Sequence, residues 1–201
     1  MTDYESACWK SMRENFPGMQ MHGCLFHFSQ AINRKVISYG LFKDYKTAHS
    51  TIRNLIKGVY SLPYLPPRDM SPAFETLKSQ ASEAECENYE KLQDFFRYVN
   101  KTWFQSSTWK ATHISAYQRM VRTNNDLEGY HNRLNIRSCS SNSPKPIADL
   151  IKVLYEEAKL VKISYKIISS NNVMMQRSKN TVEDQVKLCA FWDKYEKLCA
   201  F

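Results

Sequence analysis

Apolar residues return at helical spacing along most of this chain, and that periodicity confines it to a largely α-helical fold. Leu25, Phe28, Ile32 and Val36 mark one face of a helix predicted over Cys24–Tyr39 and closed by Gly40. Further helices are predicted over Asp3–Asn15, Ala48–Tyr60, Pro72–Gln80, Glu83–Val99, Pro146–Ser169 and Val182–Leu198. Thr2 and Glu5 are spaced as a capping box for the first of these, which Pro17-Gly18 ends. Leu62-Pro-Tyr-Leu-Pro-Pro67 separates two helices, because consecutive prolines bar helix continuation. One short strand is expected at Met19–Gly23, and one strand alone makes no sheet.

The 201 residues suffice for one domain core with a subdomain beside it. Lys and Arg number 28 against 20 Asp and Glu, a net charge of +8 that suits a polyanion and also aids solubility. Six cysteines, at 8, 24, 86, 139, 189 and 199, form no CxxC pair, so reduced intracellular thiols are expected instead of a disulfide or zinc-ribbon framework. Met1-Thr-Asp-Tyr-Glu5 lacks the layout of a signal peptide, and no apolar run approaches the roughly 20 residues of a membrane span. A soluble intracellular protein is therefore expected, without a membrane partner or a small-molecule substrate.

The segment most suited to chemistry is Arg122-Thr-Asn-Asn-Asp-Leu-Glu-Gly-Tyr-His-Asn-Arg-Leu-Asn135. Thr123 with Asp126 three residues on can start a helix. On it Asn124, Glu128, His131, Asn132 and Asn135 share one face, while Leu127, Tyr130 and Leu134 share another. A single acid among neutral hydrogen-bonding groups suggests a polar cleft that positions Glu128; the plainer reading is a helix buried by a polar network. Cys24 and His27 lie one helical turn apart, as would a zinc-binding pair. With only His22 as an extra ligand, a packed thiol and a hydrogen-bonded imidazole are the favoured reading.

Trp103, Phe104 and Trp109 stand near Lys101 and Lys110, a mixture able to stack on unpaired bases, although large aromatics more often anchor a core. Arg119, Arg122, Arg133 and Arg137 flank the Glu128 helix and are candidate phosphate contacts, alongside pairing with nearby acids. Along Pro146–Ser169 the residues Ile147, Leu150, Ile151, Leu154, Ala158, Val161, Tyr165 and Ile168 form an apolar stripe. Lys152, Lys159 and Lys166 form another row, read as a solvated face.

Four elements in order carry a family resemblance: Asp3, then Gly23-Cys-Leu-Phe-His-Phe-Ser-Gln30, then Leu62-Pro-Tyr-Leu-Pro66, then the segment 122–135 with Asn124, Asn125, Glu128, His131 and Asn132. Together they resemble the MULE (Mutator-like) DNA transposases over the chain up to about residue 160. The resemblance implies an RNase H-like catalytic region in which three acids bind Mg²⁺ or Mn²⁺ for DNA cleavage and strand transfer. Asp3 would be the second metal-binding carboxylate and Glu128 the third, while the first has no counterpart here. The alternative for Asp3 is a plain helix N-cap.

The expected fold is thus mainly α with one short strand. Residues 1–42 are the trailing helix-strand-helix part of an RNase H-like (α/β) remnant, 43–122 a helical insertion, and 123–201 the Glu128 helix with C-terminal helices. The expected function is that of a transposable-element fragment in the nucleus, bound to DNA, open to self-association and inactive alone, because two carboxylates hold a metal pair poorly. The alternative is a domesticated DNA-binding or protein-interaction module without catalysis.

Overall fold

In the computed structural model, which describes residues 1–84, 86–138, 147–170 and 179–199, the chain is mainly helical and divides into two units, Met1–Asn124 and Asn125–Phe201. The first unit contains α1 (Ser6–Asn15), α2 (Leu25–Ser38), α3 (Phe42–Lys46), α4 (Thr51–Ser61), α5 (Pro67–Ser82), α6 (Tyr89–Val99) and α7 (Ala111–Ile114). Segments 1–42 and 43–122, separate in the sequence reading, contribute to one core there: Phe28, Ile32 and Val36 of α2 share it with Ile56, Phe74 and Phe95. No helix among the described residues is long and apolar enough to cross a membrane.

Each helix of this unit has a local cause. In α2 the apolar residues fall three and four apart and all are buried, so one continuous stripe faces the core. Gly40, at φ +71°, then stops it: Gly40 N–H donates to the Ile37 carbonyl and Leu41 N–H to that of Val36, while the Leu41 side chain is buried. This is the Schellman arrangement, in which a left-handed residue satisfies the last carbonyls. Ser50 caps α4 by accepting from Arg53 N–H. Proline stands at the first position of α5, where a missing N–H costs nothing, so that helix starts a turn before the expected Pro72 and carries Pro72 inside it. After Val99, α6 widens into a π-helical turn over Asn100–Phe104, closed by Gln105 N–H on the Asn100 carbonyl.

Two expectations are corrected. Met19–Gly23 forms no strand; it contributes only an isolated parallel bridge between Thr2 and Gly23. The capping box at Thr2 and Glu5 does not form either. The first helix begins at Ser6, Glu5 makes no side-chain cap, and the Asp3 carbonyl accepts the Trp9 indole N–H instead.

The second unit holds α8 (Asn125–Ser138), α9 (Ile147–Ser169) and α10 (Lys179–Cys199). Glu157 on α9 is buried and accepts from both Arg133 and Arg137 of α8. Most of the α9 stripe is exposed, Ile147 by 75% and Tyr165 by 72%, and Lys152, Lys159 and Lys166 are exposed as read.

In the first unit Phe74 stacks on Phe104 at 4.3 Å between centroids and on Phe96 at 6.0 Å. Phe74→Ala should cost about 3–5 kcal/mol. Urea unfolding followed by tryptophan fluorescence checks this, and a loss below about 1 kcal/mol would contradict the stack as a core anchor.

Candidate functional site

A backbone clip assembles the first unit's polar cluster. Thr2 N–H donates to the His22 carbonyl and Cys24 N–H to the Thr2 carbonyl, both at 2.9 Å. Gly23 N–H donates to His113 and Leu25 N–H to Arg122, both at 2.8 Å. Four distant segments thereby meet at the start of α2, and its first N–H groups, which helix geometry leaves without partners, are used to hold them. Gly23 is required by space, since a Cβ there would lie 2.2 Å from the Tyr4 ring. That ring meets Trp103 edge-on at 4.7 Å and Trp109 at 5.6 Å. Trp103 is only 3% exposed and the partly buried Trp109 packs against the same core, in keeping with the reading of these rings as core anchors.

Within the clip, the buried Cys24 Sγ donates to Asn124 Oδ1 at 3.0 Å, and Asn124 Nδ2 donates to Asp3 Oδ1 at 2.8 Å. The order is chemically directed, because an amide oxygen only accepts, an amide nitrogen only donates, and an ionised carboxylate only accepts. His27 Nδ1 stands 3.6 Å from the same carboxylate oxygen. Cys24, His27 and Asn124 thus converge on Asp3 across 121 residues of chain. Asp3 keeps half of its side chain (52%) in solvent. It is not a helix cap, so that alternative is set aside.

The surroundings of Asp3 do not fit a divalent-metal centre. A magnesium or manganese ion needs several hard oxygen ligands, and Asp3 is met instead by an amide N–H and an imidazole. Among the described residues no three His, Cys, Asp or Glu side chains gather closely enough to hold a metal ion.

The remaining sequence candidates divide between the units. Glu128, Asn125, His131 and Asn132 lie exposed on α8 in the second unit. Arg133 and Arg137 there both pair with the buried Glu157, the alternative to phosphate contacts that the sequence left open for them. In the first unit Arg119 donates to the Thr112 carbonyl and Arg122 to that of Arg119. Arg119 also belongs to a cationic group of which the sequence reading named only Lys110 and Arg119 as candidates. Arg13, Lys110 and Arg119 surround His113 and its neighbour His22. Arg13 and His22 lie far from Lys110 and Arg119 along the chain, and no local pattern marks them.

Comparison with known proteins finds no family model, no curated protein and no solved structure that matches this chain.

Two predictions follow from this geometry. Asn124→Leu removes the buried bridge and strands the Cys24 thiol, so it should cost about 1–3 kcal/mol in urea unfolding, and an unchanged midpoint would contradict the relay. Both His22 and His113 are held below the ordinary histidine value, first by desolvation and then by the neighbouring cations. The folded state therefore binds fewer protons than the unfolded one, so stability is whole above about pH 6.5 and falls as the pH drops through that value toward the lowered folded ones. Unfolding midpoints compared at about pH 7.5 and 5.5 should show a drop that shrinks in a His22→Asn/His113→Asn variant.

Proposed function

We propose that this chain derives from a MULE-type DNA transposase, keeps a remnant of its RNase H-like region and binds DNA without cutting it. The supporting observation is the convergence of Cys24, His27 and Asn124 on Asp3: three of the four elements that carry the family resemblance meet at one carboxylate. By that resemblance Asp3 and Glu128 descend from the second and third metal-binding acids, and these residues offer no counterpart of the first. In the intact family the metal pair supplies the stabilisation of attacking and leaving oxygens. Here Asp3 has a structural part, its carboxylate accepting from the Asn124 amide with the His27 imidazole beside it.

The DNA-facing surface of this reading is the cationic group of the first unit: Arg13, Lys110 and Arg119, with His22 and His113 joining them as the pH falls. Such a group attracts phosphates whatever the base sequence, and it brings the protein to the nucleus's own polymer by counterion release.

Anisotropy of labelled duplex DNA should show binding that weakens steeply with salt. The Arg13→Gln/Lys110→Gln variant should reduce the salt slope by about 1–2, since each lost phosphate contact removes about 0.9. Duplex binding that is absent, or indifferent to salt, contradicts the proposal. Strand cleavage in Mg²⁺ or Mn²⁺ that disappears in Glu128→Gln would contradict the non-cutting half of it.

A further inference from the structure

The first unit contains a second place suited to nucleic acid, beside the C-terminal ends of α2 and α6. A recess of about 360 Å³ is lined by Tyr39, Asp94, Arg97, Tyr98, Lys101 and Thr102. Its size falls at the low end of the ~300–1,000 Å³ that small-ligand clefts occupy. Tyr39 follows α2, Tyr98 lies in the last turn of α6, and Lys35 holds them as a pair, its ammonium 5.8 Å from the first ring and 4.9 Å from the second. Both tyrosines are half-buried, so each ring is anchored while part of it stays open.

The charges are arranged asymmetrically. Asp94 pairs with Arg97 one helical turn on and cancels it. Lys101 is exposed and has no ion pair among the described residues, so the rim of the recess keeps one uncancelled positive charge. The π-helical turn over Asn100–Phe104 places Lys101 at the rim while Trp103 goes into the core. Such turns interrupt an α-helix at some cost and recur at binding sites.

We propose that this recess binds one nucleotide, its base against the Tyr39 and Tyr98 rings and its phosphate at Lys101. Aromatic faces accept any base by stacking, and a rim lysine meets the phosphate as a point charge, so the site suits an unpaired nucleotide and selects no sequence. A base inside a duplex has no free face to offer. The proposal goes beyond DNA binding by the cationic group and depends on nothing at Asp3, so it survives if the transposase reading fails.

The test uses the full chain and a labelled oligothymidylate, with an abasic strand of equal length for comparison. Tyr39→Ala and Tyr98→Ala should each weaken binding of the thymidylate strand about five- to one-hundredfold, and the abasic strand should bind wild type about as weakly as the variants bind thymidylate. Lys101→Gln, at an exposed position, should leave the fold intact and lower the salt slope by about 0.7. Tyr98→Phe keeps the ring and should keep the affinity, which separates lost stacking from lost folding. Competition by free thymidine monophosphate at the tyrosine-dependent site supports the proposal with a mononucleotide as the source. Failure of the free nucleotide to compete supports it with a strand as the source. Equal binding of thymidylate and abasic strands, or tyrosine variants that fold and bind as wild type, overturns it. Arg13→Gln leaves this binding within about twofold if the two surfaces are independent.

Discussion

The first unit depends on a short run of backbone hydrogen bonds that pins residue 2 between residues 22 and 24 and ties Arg122 to the first N–H of α2. Without them the chain's start and the segment before α8 have no reason to be neighbours. The bonds serve two needs at once, since they satisfy donors that a helix start leaves open and bring in segments that carry polar side chains. A glycine at 23 is the steric condition, because the Tyr4 ring occupies the space that any Cβ would take.

On that clip the polar and aromatic parts of the unit divide the work. Tyr4 and its tryptophan neighbours exclude water on one side, and the thiol, amide and carboxylate run outward on the other, from buried Cys24 to half-exposed Asp3. A buried amide is tolerated because both its ends are used, and it restricts the Asp3 side chain more than a solvent contact would. This makes Asp3 a carboxylate fixed by an amide donor, a different environment from one that shares a metal ion with other acids.

The second unit answers the same problem with charge. Glu157 is 4% exposed, and two arginines from α8 bond to it, an arrangement that holds two helices in register without adding much stability of its own. Trp192 of α10 is buried as well, while most of the apolar stripe on α9 faces solvent. Amphipathic periodicity shows that a helix has an apolar face; it does not show what covers that face.

What the sequence determined by itself was local. Helical spacing located α2 and α4 to within a few residues and α6 at its end, although α6 starts at Tyr89 and not at the expected Glu83, and Gly40 marked a stop that φ +71° explains. These features depend on hydrogen bonds and side-chain periods that close within one or two turns of chain. The prolines were misread by one turn, because Pro67 opens α5 and Pro72 is carried inside it. Only the tertiary structure decided that Asn124 bridges Cys24 and Asp3, that Trp103 lies in the core while Tyr39 and Tyr98 flank a recess, and that Arg133 and Arg137 belong to Glu157. Those contacts join residues tens of positions apart, and nothing in a local pattern of polarity specifies which of many compatible partners the packing of helices will bring together.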